Sequence, residues 1–158
     1  MATVIVPMKA TNQRLPGKNI ASLGDKPLCH WLLSTVLGMA SVDRVIVDVW
    51  GEQLSKCVLG MPGGDRVELS PRPIEYCVPT AGGNFLLRRF INDPDEIYVQ
   101  CHVTSPFLSD VTLDNAIGRI EDGDCDSCFG ATVLQQRMWS RRENVSELLP
   151  VTHDPGEP

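Results

Sequence analysis

The 158-residue sequence contains no run approaching the ~20 apolar residues that a helix needs to cross a bilayer. It does not open with a charged stretch followed by an apolar one, as a secretory leader does, so the expectation is a cytoplasmic protein without a membrane partner. A surplus of positive charge is missing too: 14 basic against 20 acidic residues leave a net charge of −6. That balance argues against broad binding to nucleic acid or to an anionic membrane. Internal repeats and low-complexity tracts are absent, and the length fits one domain with a sizeable core. The six cysteines are scattered rather than packed into a small secreted scaffold. Cys125-Asp126-Ser127-Cys128 is a lone C-x-x-C with no second pair at zinc-finger spacing. Free thiols are expected, with neither a disulfide nor zinc at that pair.

What the sequence does have is concentrated at its beginning. Residues 4–19 run from the β-branched Val4-Ile5-Val6 through Pro7 and Met8 into a polar loop that carries Lys9, Arg14 and Lys18. A strand ending in such a loop can gather backbone N–H groups and cations around a polyphosphate. The plainer alternative is a basic surface loop after an ordinary strand. Lys9, Arg14, Lys18 and Lys26 place four cations within 18 residues that hold a single acid, Asp25, which reverses the overall charge locally.

Strand and helix patterns alternate along the rest of the chain. Residues 2–8 are almost wholly apolar, as in a parallel strand covered on both faces. Leu28, Trp31, Leu32, Thr35, Val36 and Met39 share one helical face, with Asp25 a candidate cap and Pro27 in the first turn. Strands are expected over 43–50, 66–70, 96–103 and 126–134, and helices over 51–59 and 85–91. A further helix is bounded by Ser109 and Gly123, with Leu113, Ala116, Ile117 and Ile120 as its stripe. Residues 1–139 then form the core, and 140–158 a polar, proline-rich tail. The class is α/β, a doubly wound and mainly parallel sheet, Rossmann-like. In such sheets ligands bind beyond the carboxyl ends of the strands. Lys9–Lys18, Arg72, Thr104-Ser105 and Gln135–Arg137 all follow predicted strands, so four segments are expected to converge on one crevice.

The order Arg14-Leu15-Pro16-Gly17-Lys18-Asn19 after Pro7 resembles the N-terminal signature of the CMP-sugar synthetases, roughly I-P-A-R-x-G-S-K-R-L-P-G-K-N. Lys9 stands where that family has arginine, and Asn12 and Gln13 replace its serine and lysine. Arg72-Pro73, followed by Cys77 and Asn84, resembles the R-P-x-x-L-C-G-D-x-x-S-M-N of one branch. His102 to Leu108 resembles its H-A-T-S-P-F-L, Ser127 to Trp139 its S-x-F-S-V-T-x-L-Q-T-R-x-W, and His153-Asp154-Pro155 the H-D-P that follows.

The resemblance implies a cytidylyltransferase of nucleotide-diphospho-sugar-transferase-like fold, moving CMP from CTP to an acidic, sialic-type nonulosonate and releasing pyrophosphate. The octulosonate cytidylyltransferases are a close cousin. It implies Lys9, Arg14 and Lys18 on the triphosphate as the catalytic cations. Nucleotide binding would fall to Pro7, Met8, Lys9, Asn12, Gln13, Arg14, Lys18, Arg72 and Asn84, with Arg72 on the cytosine and Asn84 either touching nucleotide or capping its helix. His102, Thr104, Ser105, Gln135 and Arg137 would face the sugar, Arg137 forking onto its carboxylate. Family members run on into a dimerisation segment and an aspartate pair that holds Mg²⁺, so those ligands are expected beyond Pro158. Departures are Val49-Trp50 in place of a T-D pair, and Pro79 and Gly82 in place of an aspartate and a serine. They leave open a second reading, an inactive remnant that binds nucleotide or a partner protein.

Overall fold

The computed structural model describes residues 2–10, 15–77, 82–132, 139–141 and 148–150. Two compact units divide the chain, Met1–Cys128 and Phe129–Pro158. Its elements run in the order β1 (Ala2–Lys9), β2 (Ser22–Leu23), β3 (Lys26–Pro27), α1 (Leu28–Gly38), β4 (Val42–Trp50), α2 (Glu52–Leu59), β5 (Val67–Pro71), α3 (Gly83–Leu87), β6 (Ile97–Gln100) and α4 (Asp110–Glu121). In the second unit β7 (Trp139–Arg141) pairs antiparallel with β8 (Leu148–Pro150).

A four-stranded sheet of order β5-β4-β1-β6 organises the first unit, and every pairing in it is parallel. The chain steps outward from β1 to β4 to β5, then returns to the other side of β1, which puts the switch in strand order between β1 and β6. Burial explains why β1 is apolar without alternation: Ala2, Val4, Val6 and Met8 on one face and Thr3 and Ile5 on the other are all inaccessible. Val45, Val47 and Val49 of β4 extend the first set, joined by Leu54 and Val58 of α2 and Leu113 and Ile117 of α4.

Helix α1 turns a different stripe inward from the one expected. Cys29, Leu32, Leu33, Val36 and Leu37 are buried, while Leu28, Trp31 and Thr35 are half exposed. The helix is apolar nearly all round, so periodicity alone allowed a rotation of about one residue. Trp31 is held outside by its own chemistry, its indole donating to Leu23 O at 2.9 Å and Lys26 lying 4.2 Å over its ring. Asp25 does not cap this helix. It lies in the turn between β2 and β3, and the orphan N–H of Leu28 donates instead to Ala21 O at 2.9 Å. Helix α4 follows expectation: Ser109 Oγ accepts from Thr112 N–H at 3.2 Å, and Gly123 at φ 75° ends it.

Three expectations are corrected. The strand placed at 96–103 stops at Gln100, because after Cys101 N–H bonds Ile5 O the chain turns, Ser105 N–H donating to His102 O. The helix placed at 85–91 is the single-turn α3 followed by tighter turns. Of the strand placed at 126–134, residues 126–132 are not in strand and Phe129 is exposed, while 133 and 134 lie outside the described residues. The Cys125 and Cys128 thiols, like the other four, are free.

Candidate functional site

At the carboxyl ends of the strands, beside the switch between β1 and β6, lies a crevice of about 300 Å³. That is the low end of small-molecule sites. Each wall traces to a local device. Pro7 and Lys9 come from the end of β1. Gly17, at φ 68°, adopts the left-handed backbone that starts the short 3₁₀ turn Lys18–Ile20 and brings Lys18 to the lip. Arg72 follows β5, its N–H donating to Val49 O at 2.8 Å, and His102 and Thr104 sit in the turn after β6.

The structure thus brings together Pro7, Lys9, Lys18, Arg72, His102 and Thr104. Met8 is not among the lining residues; its side chain is inaccessible in the core, with Val49 opposite it in register. That follows from period two, since Met8 must point away from the face that Pro7 and Lys9 share. Asn84 and Ser105 are exposed outside the lining, and Asn84 does not cap α3, whose N-cap is Gly82. Asn12, Gln13, Arg14, Gln135 and Arg137 lie outside the described residues.

Arg72, between Pro71 and Pro73, is buried. Asp48 of β4 is fully buried, and its two carboxylate oxygens are divided between two guanidinium groups. Arg72 holds Oδ2, through Nε at 2.8 Å and a second nitrogen at 2.6 Å, while Arg89 donates to Oδ1 at 2.7 Å. Arg89 also reaches Ser70 Oγ and Pro71 O, and its guanidinium lies 5.1 Å over Tyr76, whose ring stacks on Phe85 at 4.5 Å. Two cations on one carboxylate leave a net positive charge beside the crevice. Sequence reasoning missed Arg89 and the pairing of Asp48 with two arginines. The signal was there, a lone acid inside the apolar run Val45-Ile46-Val47-Asp48-Val49, because a buried carboxylate must be paired.

Asn19 was also missed as a site residue. It is buried and lines the crevice, and its amide donates to Lys9 O at 3.0 Å. Because that partner is an acceptor, the amide orientation is fixed, and Asn19 Oδ1 is left buried without a hydrogen bond. A buried orphan acceptor costs roughly 1–3 kcal/mol and is relieved by any ligand donor that reaches it. The lining holds no carboxylate among the described residues. Asp48 is consumed by its arginines and offers no oxygen to a hard cation, and Asp110 is exposed in the first turn of α4, outside the lining.

The cytidylyltransferase family matches residues 3–53 of the chain. Among curated proteins, the 3-deoxy-manno-octulosonate cytidylyltransferase of Vibrio cholerae is 34% identical over 61 residues, covering 39% of this chain and 24% of that protein. The enzyme of the same name from Aliivibrio fischeri is 36% identical over 69 residues, covering 44% and 27%. The chain thus spans about a quarter of the length of these relatives. Among solved structures, CMP:2-keto-3-deoxy-manno-octonic acid synthetase complexed with CTP superposes with a TM-score of 0.61 at 18% identity, over 78% of this chain and 48% of that one. A cytidylyltransferase from Leptospira borgpetersenii gives 0.53 at 16%, over 74% and 47%. At these identities the superpositions speak for the fold, the Rossmann-like one read from the strand and helix alternation. The resemblance drawn from the opening motif is shown by the family match over that same segment.

Proposed function

We propose, from the cytidylyltransferase sequence that residues 3–53 carry, that this chain binds CTP in its crevice and serves the transfer of CMP to an acidic sugar with release of pyrophosphate. The observation that carries the reading is the meeting of Lys9, Lys18 and Arg72 at the switch point of a parallel sheet in an acidic protein. Attack of a sugar hydroxyl on the α-phosphorus forms one P–O bond and breaks the one to pyrophosphate. The protein's share is positioning and charge neutralisation. Lys9 and Lys18 would face the triphosphate, and Arg72, immobilised by Asp48, would hold the base side. The orphan Asn19 Oδ1 would accept from a nucleotide N–H or O–H.

For the sugar, the octulosonate enzymes among the relatives favour a 3-deoxy-octulosonate as first substrate, ahead of a sialic-type nonulosonate. Both carry a carboxylate. Arg137, with Gln135, stands for its recognition on sequence resemblance alone, as Arg14 does for the phosphates. Mg²⁺ also rests on that resemblance: it prefers oxygen ligands in octahedral array, and the described lining does not fit it.

Calorimetry with CTP, UTP and ATP tests the binding reading, with CTP preferred and Lys18→Ala weakening it. Pyrophosphate release with CTP and each acid in turn tests transfer. No CTP affinity in the wild-type chain would overturn the proposal, whereas affinity without turnover on any acid would confine it to binding.

A further inference from the structure

We propose that Cys29, His30 and Cys57 form a binding site for a soft divalent ion of tetrahedral preference, best matched by Zn²⁺. Cys29 and His30 are consecutive in the first turn of α1, and Cys57 lies in the last turn of α2. Their ligand atoms all fall within 4.8 Å of one another, and this is the one such trio among the described residues. The Cys29 and Cys57 sulfurs are 4.0 Å apart, and His30 Nε2 is 3.4 Å from Cys57 Sγ. A tetrahedral zinc ion with bonds of ~2.3 Å to sulfur and ~2.05 Å to nitrogen sets edges of about 3.8 Å between thiolates and about 3.6 Å between thiolate and imidazole. Two of the three separations already stand near those values, and the third, from Cys29 to His30, lies within 4.8 Å.

A disulfide is the competing use of two neighbouring thiols. It would draw the sulfurs from 4.0 Å to about 2.05 Å across two helices packed in the core, and it would leave the imidazole without a role. Coordination uses all three groups. It exchanges the His30 Nε2 contact with Cys57 O, now 3.0 Å, for a metal bond and moves the imidazole proton to Nδ1. Cys29 is fully buried while His30 and Cys57 are half exposed, so the cluster has a dry back and an open rim for entry and for a fourth ligand from solvent. Burial first, and then the neighbouring Cys57, push the Cys29 thiol up to about 12. A dication offsets both effects and releases the proton, so affinity falls as pH is lowered. The 3₁₀ turn that carries Lys18 packs on both helices. An ion joining α1 to α2 would therefore stiffen the support beneath one lip of the crevice. This proposal does not depend on the nucleotide reading.

The test uses the full chain, purified without chelator under reducing conditions. Elemental analysis should find zinc at about one equivalent, and titration of the stripped protein with Co²⁺ should give tetrahedral ligand-field bands with thiolate charge transfer. Cys57→Ser should roughly halve the charge-transfer intensity and weaken binding by about a hundredfold or more, beyond the 10–100-fold typical of losing an outer-shell partner. His30→Ala should weaken binding while keeping both thiolate transitions. Far-ultraviolet circular dichroism establishes that each variant is folded, and a variant that fails is replaced by Cys57→Ala or His30→Gln. Substoichiometric zinc, a Co²⁺ spectrum unchanged by Cys57→Ser and His30→Ala, or a Cys29–Cys57 disulfide in the intact mass of metal-free protein would each overturn the site.

Discussion

The two sides of the crevice present positive charge by opposite means. On one side Lys18 is a half-exposed cation on a surface turn, placed by backbone alone: a left-handed Gly17 and a bond from Ile20 N–H to Gly17 O. On the other side Arg72 is buried, its guanidinium locked on Asp48 and backed by Arg89. A lysine on a turn can follow a flexible chain of phosphates as a point charge. The planar arginine, already desolvated and fixed, suits a rigid partner. The contrast teaches that charge used for catching and charge used for orienting need different surroundings, even a few residues from the same ligand.

The comparison breaks most sharply at Asp48. Asp48→Ala would leave a buried guanidinium without its counter-charge, and unfolding in urea should show a loss of about 3–5 kcal/mol. Lys18→Ala should change the same curve by less than about 0.5 kcal/mol. Its effect belongs to binding, where calorimetry with CTP should show a loss of about 1.5–3 kcal/mol, the range for a charge-assisted hydrogen bond. Equal stability losses for the two variants would erase the distinction between the walls. Next comes Gly17→Ala, which forces a side chain into φ 68°. Nothing lies within 4 Å of the added carbon, so the cost is backbone strain alone, about 1–2 kcal/mol, with weaker CTP binding as the turn shifts.

The smallest effect lies away from the crevice. Glu96 accepts a short hydrogen bond from the buried Thr3 hydroxyl, which chiefly, with Tyr98, lowers its carboxyl below the usual value of 4.5. A depressed folded pKa gives stability that is present above the unfolded value and lost as pH falls through the folded one. Wild type should therefore lose slightly more stability than Glu96→Gln as pH drops below 4.5, in parallel urea titrations. The half-exposed position of Glu96 keeps the difference small.

How much was legible in the sequence follows the physics of each feature. The parallel sheet could be read because β1 and β4 are buried on both faces, which forces unbroken apolar runs that few other structures need. The placing of Lys9, Lys18 and Arg72 followed from topology once the strands were known. The stripe of α1 was misjudged because an apolar helix constrains its rotation weakly, and the described part of the strand placed at 126–134 because a short apolar run says nothing of whether a pairing edge awaits it. The Asp48–Arg72–Arg89 group depends on three segments meeting in space, 24 and 41 residues from Asp48 along the chain, which no local pattern encodes. The orphan oxygen of Asn19 is of the same kind, visible only after its amide is seen to be spent on Lys9 O.

One contact at the carboxyl ends of β1 and β4 bears on how such a chain can change over generations. Where β4 ends, Gly51 takes φ 121°, and Ala10 N–H donates to Trp50 O at 2.9 Å. A methyl group at Gly51 would sit 2.7 Å from the Ala10 methyl, closer than two carbons can stand. Positions 10 and 51 are therefore not free to drift separately. Any residue with a side chain at 51 meets both an unfavourable backbone and an occupied space, and removing the Ala10 methyl lifts only the second penalty. The segment that enters the Lys9–Lys18 loop is thereby tied to the exit of its neighbouring strand, so diversification of that loop is channelled toward its far end, away from the hinge where it leaves the sheet.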